Sequence, residues 1–152
     1  MLRVVLDTSI LVRMVLSTPI TIAGKILSAL HAGEFVVVVS PQLLDELRET
    51  LRSPFVSAKH GMDEDEIATF VSDFALFAET TPGAITPEIP SLARRDPDDV
   101  KIVAAAMEGK AAYLVSQDKD LLSLKEWESV RIVEASEFYQ VLQMFKAGAD
   151  QP

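Results

Sequence analysis

Carboxylic acids follow several apolar runs of this sequence, and their positions suggest metal chemistry. Asp7 directly follows "VVL", and Asp118 follows "YLVS" by two residues. Asp99 lies in the first turn of a predicted helix leading toward the "YLV" run. Glu46 lies on a predicted helix that begins where the run "FVVVV" ends. Because hard cations prefer oxygen ligands, acids that met at one place would form a site for Mg²⁺ or Mn²⁺.

Asp7 is the acid that a purely structural role explains least. An acid at the end of a buried strand loses several kcal/mol in desolvation unless hydrogen bonds or cations compensate. The neighbouring Thr8 and Ser9 supply hydroxyls, but no arginine or lysine adjoins them. A divalent cation is the simplest compensation, so Asp7 is predicted to be a metal ligand.

Glu46 is separated from its neighbouring acids by its position relative to an apolar stripe. The stripe consists of Leu43, Leu44, Leu47 and Leu51. At about 100° per residue, Glu46 borders this buried stripe, whereas Asp45 and Glu49 lie farther around the helix. We therefore assign Glu46 to the site and interpret the other two as solvated surface acids.

Asp96 and Asp99 fit the N-cap and N3 positions of a capping box. For Asp96 the cap is the preferred interpretation. Asp99 directly precedes the buried-helix sequence "VKIVAAAM", which favours a functional role. Zinc is not supported, because the chain has no cysteine and His31 and His60 occur singly, as expected of surface residues.

Short apolar runs predict the sheet that would bring these acids together. The runs are "VVL" at 4–6, "FVVVV" at 35–39, "YLV" at 113–115 and "RIV" at 131–133. They are continuous rather than alternating, as in strands buried on both faces of a parallel sheet. Helical periodicity fills the segments between them, so the fold class is α/β with a mainly parallel sheet. Ligands of such sheets bind beyond the carboxyl ends of the strands, where the acids fall.

Capping signals predict where the helices begin and end. The N-terminal signals are Thr18 with Pro19, Ser40 with Pro41, Asp63 with Glu66, and Asp96 with Pro97. Gly33 and Gly109 end two of these helices. Prolines between Thr80 and Pro97 predict a connecting segment without regular secondary structure, with a brief strand beside Phe77.

Composition limits the class of protein. The chain has 152 residues, of which 49% are hydrophobic and 24% charged, as expected for one packed domain. We expect that domain to span residues 1–145 and residues 146–152 to form a disordered tail. Without cysteines, a signal region or a membrane segment, the expected location is the cytoplasm and no membrane contact is expected. The net charge of −9 argues against a simple DNA-binding module, although bound metal ions would reverse the local sign.

Two kinds of phosphate chemistry fit acids at strand ends. Carboxylates that hold one or two divalent ions can orient and activate a water for phosphodiester hydrolysis. An aspartyl-phosphate phosphatase would use Asp7 as nucleophile, but it would need a second acid where Ser9 stands. Cations near the predicted site could assist with phosphate, although ordinary surface charge is the simpler interpretation of each. They are Arg94, Arg95, Lys101 and Lys119.

The sequence resembles the PIN domains, and within them the VapC-like ribonuclease toxins. The matching segments are "VVLDTSILV", "VVVSPQLLDEL", "DPDDVKIVAAAMEGKAAYLVSQDKDLL" and "VRIVEASEFYQVL". The resemblance implies a three-layer α/β/α fold with a mainly parallel five-stranded sheet. It also implies a Mg²⁺- or Mn²⁺-dependent endoribonuclease that cleaves single-stranded RNA, forms a homodimer and is blocked by an antitoxin protein.

The resemblance also assigns roles to individual residues. Asp7, Glu46, Asp99 and Asp118 match the acidic quartet of the family, which binds metal and supports catalysis. A second tier of positions comprises Asp96, Asp120, Ser9 and Ser116. A catalytically inactive PIN-like scaffold that binds a partner protein is the alternative hypothesis, because the chain is acidic and shows no clear basic track for RNA.

Overall fold

The computed structural model describes residues 1–149, in which short strands alternate with helices. The strands are β1 (Arg3–Leu6), β2 (Val36–Val39), β3 (Ala78–Thr80), β4 (Tyr113–Val115), β5 (Glu126–Trp127) and β6 (Val130–Val133). The helices are α1 (Thr8–Val15), α2 (Ile22–His31), α3 (Pro41–Arg52), α4 (Pro54–His60), α5 (Glu64–Phe77), α6 (Pro90–Ala93), α7 (Pro97–Glu108), α8 (Lys119–Leu124) and α9 (Ala135–Ala149). This alternation confirms the predicted α/β class.

The strands form one sheet in the order β3-β2-β1-β4-β6-β5. All pairs are parallel except β5 with β6, which is antiparallel. The mainly parallel sheet is confirmed, but it has six strands among the described residues instead of the expected five. The additional strand is the two-residue β5, which returns directly beside β6 and is too short to produce an apolar pattern.

The central strands are buried and place β1 between β2 and β4. Val4, Val5, Val37 and Leu114 are fully buried, as expected for strands covered on both faces. In register, Val4 pairs with Val37 on one side and Val5 pairs with Leu114 on the other. The carboxyl ends of β1 and β4 therefore lie side by side, which positions the residues that follow them.

Most predicted helix starts are confirmed. Ser40 and Asp96 cap α3 and α7, and Asp63 forms a capping box with Glu66 at the start of α5. The predicted start of α2 was wrong. Its N-cap is Thr21 instead of Thr18, and the Thr21 side chain accepts from the Gly24 backbone NH. The residues after Thr18 form a turn first.

The C-terminal helix continues beyond the predicted domain boundary at residue 145. It runs to Ala149, and Lys146 donates to Glu34 Oε1 over 2.6 Å. The first four residues of the predicted tail are thus helical, since this ion pair and the buried Leu142 hold the helix against the domain. The rest of the predicted tail, residues 150–152, lies outside the described residues. Among residues 1–149, no helix combines the length and apolar character needed to cross a bilayer.

Candidate metal centre

Asp7 is the residue at which β1 becomes α1. It is the N-cap of α1, and its Oδ1 accepts from the Thr8 backbone NH over 2.7 Å. Its Oδ2 accepts from Ser116 Oγ over 2.6 Å and from Ser9 Oγ over 3.2 Å. The sequence did not reveal α1, because its apolar residues continue the apolar run of the strand. Asp7, Thr8 and Ser9, the three polar residues within "VVLDTSILV", thus form the junction between β1 and α1.

Asp118 occupies the equivalent junction after β4. It is the N-cap of α8, and its Oδ1 accepts from the Asp120 backbone NH over 2.8 Å. Its own backbone NH donates to Ser116 Oγ over 2.9 Å. Ser116 is fully buried, so one hydroxyl connects the two junctions and fixes the Asp7 carboxylate relative to the Asp118 backbone.

Asp99 brings a third carboxylate to this edge from the first turn of α7. Asp96 is the helix cap, but it accepts from the Asp98 backbone NH, so the capping box proposed for Asp96 and Asp99 does not form. Asp99 is 5% exposed. Its Oδ2 has no hydrogen-bond partner among the described residues. A buried carboxylate oxygen without a donor is destabilising unless something else satisfies it.

Asp99, Asp118 and Asp120 form a compact acidic group in the described part of the chain. Each offers a carboxylate oxygen, and these three oxygens lie within 4.8 Å of one another. Two full negative charges at that separation repel by about 3.5 kcal/mol at an effective dielectric constant of about 20. This geometry makes Asp120 a candidate metal ligand equal to Asp99 and Asp118, although the resemblance assigned it only to the second tier.

The acids of this edge act on one another electrostatically. Burial, then the charges of Asp118 and Asp96, raises the pKa of Asp99 to about 7. Burial and then the charge of Asp7 raise the pKa of Glu46 to about 7. Burial also raises the pKa of Asp7, although hydrogen bonds, foremost from Ser116, offset part of the effect. The charges of Asp7 and Asp118 both act on Asp99, and the charge of Asp7 also acts on Glu46, so the four acids lie within electrostatic range of at least one other member of the quartet.

The remaining predicted residues fall into two groups. Glu46 and Asp96 are half-buried beside the cluster, and the charges of Asp98 and Asp96 act on Glu46. Asp45 and Glu49 are exposed, as predicted for surface acids. The sequence did not single out Asp98, since a helix-capping segment explains an acid there without any other role.

The four basic side chains predicted near the site differ in how they contact the acids. Arg95 donates to Asp120 Oδ1 over 2.9 Å, and Lys101 donates to Asp98 Oδ1 over 3.1 Å. Arg94 and Lys119 are exposed near the same helix starts. Arg95 therefore neutralises part of the acidic group directly, a role that its position before Asp96 did not reveal.

The donor set fits a hard divalent cation. It consists of carboxylate oxygens, which suit Mg²⁺ or Mn²⁺, and one of them is the unsatisfied Oδ2 of Asp99. His60 contacts the Leu51 carbonyl and the Met62 backbone NH, so it holds α4 in place. His31 is exposed beside Phe77. Neither histidine belongs to the acidic group found among the described residues.

Comparison with known families gives one match that bears on this site. A family model described as the PIN domain matches residues 3–120, which include every acid discussed above. Comparison with curated proteins finds no match. The matched region covers most of the chain and extends from β1 into α8.

Proposed function

The chain belongs to the PIN domain family, and on that basis we propose that it is a Mg²⁺- or Mn²⁺-dependent endoribonuclease acting on single-stranded RNA. PIN domains are generally metal-dependent nucleases, so a hydrolase acting on nucleic acid is the family expectation. RNA as substrate and the choice of metal are the proposed refinements. The observation that supports a hard divalent cation is the buried, unsatisfied Oδ2 of Asp99 beside two further carboxylates. The support for RNA as the substrate is the resemblance of the motifs to the VapC-like ribonucleases.

Each acid of the quartet has a proposed role. Asp99 and Asp118 would hold the cation with Asp120, and Asp7 and Glu46 would complete its oxygen ligands. A divalent cation bound there supplies an activated water and neutralises charge that develops on the phosphate. Burial and neighbouring acids raise the pKa of Glu46 to about 7 in the metal-free protein, so a bound cation would also favour the ionised carboxylate that ligates it.

Hydroxyl groups and cations of the chain have supporting roles. The Ser116 hydroxyl keeps Oδ2 of Asp7 in one orientation, assisted by Ser9. Lys101 and Arg94 are exposed near the acids and would attract the RNA phosphates. Asp96 caps α7 and contributes negative charge at the rim, so we propose it as a supporting residue instead of a direct ligand.

We further propose that the enzyme is the toxin of a toxin–antitoxin pair in the cytoplasm. The support is the resemblance of its motifs to the VapC-like toxins. In this proposal the protein is a homodimer and an antitoxin protein blocks the acidic edge. Expression with and without the protein encoded beside it tests this role, because only the isolated toxin should arrest growth.

RNA cleavage by the purified protein tests the nuclease assignment. Wild-type protein with Mn²⁺ should cleave a single-stranded RNA, and EDTA should abolish cleavage. Asp7→Asn should reduce cleavage by at least about a hundredfold, because it removes one ligand charge while preserving size. Asp45→Asn, which changes an exposed acid on α3, is the matched control and should cleave normally. Full cleavage by Asp7→Asn would refute the assignment of Asp7 to the site, whereas no cleavage by the wild-type protein with Mn²⁺ would favour a scaffold role.

A further inference from the structure

A cleft of about 360 Å³ opens where the carboxyl ends of β4 and β6 meet α1, and we propose that its Arg13 binds an RNA phosphate adjoining the one held at the acids. The inference rests on the proposed ribonuclease function and adds a substrate subsite to it. The cleft is lined by Arg13, Ile22, Gln117, Glu134, Ala135 and Ser136. Its volume is near the lower end of the roughly 300–1,000 Å³ of ligand pockets, which suits part of one nucleotide.

The cleft lies at the same edge of the sheet as the acids. Gln117 comes shortly after β4, and Glu134 directly follows β6. The Ser116 backbone NH donates to the Val133 carbonyl over 3.0 Å, so the carboxyl ends of these two strands are held side by side. Since β4 also pairs with β1, the cleft and the acids share one edge.

Gln117 connects the cleft to the acidic group along the chain. It lies between Ser116, whose hydroxyl donates to Asp7, and Asp118, whose carboxylate belongs to the acidic group. Neighbouring Cα atoms are about 3.8 Å apart, so the wall of the cleft and the acidic group meet at consecutive residues. An RNA strand bound at Asp118 therefore has to cross only this short loop to enter the cleft.

Helix α1 provides a second connection between the cleft and the acids. Ser9 and Arg13 are four residues apart, so they lie on one face of α1, separated by about 6 Å along its axis. The Ser9 hydroxyl donates to Asp7 Oδ2 over 3.2 Å. Helical side chains tilt toward the N-terminus of their helix, and α1 begins at the carboxyl edge of the sheet. The Arg13 side chain is thus directed toward the edge at which Asp7 lies.

Arg13 is available to a ligand. It is exposed and makes no side-chain hydrogen bond or ion pair among residues 1–149. Two other basic side chains near the acids are already paired, Arg95 with Asp120 and Lys101 with Asp98. A guanidinium can bind a phosphate through two parallel N–H···O bonds. In a chain with a net charge of −9, an unpaired arginine beside the acids gives the RNA backbone a local attraction.

The other polar groups of the cleft give the proposal a second, opposite test. Gln117 and Ser136 offer neutral hydrogen-bond donors. Glu134 is exposed and forms no ion pair with Arg13 in the part of the chain that the structure describes. A phosphate bound in the cleft would be attracted by Arg13 and repelled by Glu134. Removal of these two charges should therefore change RNA affinity in opposite directions.

Fluorescence anisotropy with a labelled single-stranded RNA tests the subsite without requiring catalysis. In EDTA at low salt, Arg13→Gln should weaken RNA binding roughly fivefold or more, and the salt slope of log K should fall by about 0.7, as expected for one lost phosphate contact. Arg131→Gln removes the same charge from an exposed arginine in β6 and should bind as the wild type does. Glu134→Gln should bind the RNA more tightly than the wild type. The acidic group repels RNA in all four proteins, so the ratios of their affinities report on the cleft.

No measurable RNA binding by the wild-type protein, or equal losses in Arg13→Gln and Arg131→Gln, would overturn the inference. Circular dichroism verifies that each variant folds, and Glu134→Gln serves if Arg13→Gln does not. Unchanged or weaker binding by folded Glu134→Gln would also contradict the inference. RNA binding that depends on Arg13 without Mn²⁺-dependent cleavage would refute only the nuclease, and cleavage with binding independent of Arg13 would refute only the subsite.

Discussion

Ser116, the residue after β4, donates its hydroxyl to Asp7, the residue after β1, although 109 positions separate them. The same oxygen accepts from the Asp118 backbone NH. The two strands are neighbours, and Asp7 NH donates to the Val115 carbonyl, so backbone pairing continues to the acid itself. A rigid sheet edge thus holds the first carboxylate of the site.

Ser116→Ala should lower the free energy of unfolding. The substitution removes a donor to a buried carboxylate, and loss of such a hydrogen bond typically costs about 1–3 kcal/mol. Urea unfolding at pH 7.5 in EDTA measures the change. Ser123→Ala is the control, since its exposed hydroxyl donates to the Asp120 carbonyl in its own helix, and it should change stability by less than about 0.5 kcal/mol. Equal losses in both variants would contradict the role of Ser116.

Stability of the metal-free protein should fall as pH rises from about 5 to 8. The folded pKa values of Asp99 and Glu46 are about 7, whereas unfolded Asp and Glu titrate near pH 4. Between these values the folded state binds more protons than the unfolded state, so each pH increase favours unfolding. Urea unfolding in EDTA across this range measures the effect.

The Asp99→Asn variant isolates the contribution of the Asp99 carboxylate to this pH dependence of stability from the contributions of other groups. It removes the buried charge, so at pH 7.5 in EDTA the variant should be more stable than wild type by on the order of 2 kcal/mol, after allowance for partial hydration of the rim. Asp98→Asn, which changes an exposed acid one residue away, should change stability little. A metal-free Asp99→Asn protein less stable than wild type would show that the carboxylate is satisfied within the fold.

Mn²⁺ should raise the melting temperature of the wild-type protein. A ligand at about a hundred times its dissociation constant stabilises the folded state by about 2.7 kcal/mol. Asp118→Asn should lose most of this increase, because Asp118 belongs to the acidic group. Asp45→Asn should keep it, since that exposed acid pairs with Arg48 on α3. Equal increases in all three proteins would place the metal elsewhere.

Arg95→Ala should tighten Mn²⁺ binding. The Arg95 guanidinium competes with a cation for Asp120, to which it donates over 2.9 Å. The pair is solvent-exposed, so the gain should be modest, roughly two- to fivefold in affinity at low salt. Calorimetric titration measures it, with Arg94→Ala as the neighbouring control. Weaker binding by Arg95→Ala would mean that the arginine orients Asp120 instead of competing for it.

The sheet was predictable because its strands are uniformly apolar and the capping residues are distinctive. β1, β2, β4 and β6 match the apolar runs, and Ser40, Asp63 and Asp96 cap the helices as expected. β5 and α1 were not predictable in the same way. The two residues of β5 show no periodicity, and the apolar residues of α1 extend the run of β1 beyond Asp7.

The acids that could form the site were predictable, but their relative distances were not. Strand order determines that Asp7 and Asp118 meet, and sequence alone does not give the turn that brings Asp120 within 4.8 Å of Asp99. Spacing suggested a capping box for Asp96 and Asp99. In the structure, the Asp96 carboxylate accepts from the Asp98 backbone NH, and the Asp96 backbone NH donates to the Leu92 carbonyl. Neither half of the capping box forms, and Asp99 Oδ2 has no partner among the residues described.

A crystal structure with Mn²⁺, collected for its anomalous signal, tests the metal centre most directly. The account predicts an anomalous peak within about 2.0–2.4 Å of carboxylate oxygens from Asp99 and Asp118, with Asp7 and Glu46 directed toward the same ion. The peak should disappear in Asp99→Asn crystals grown under the same conditions. A folded wild-type protein with no peak at this edge, or with its only peaks elsewhere, would contradict the account.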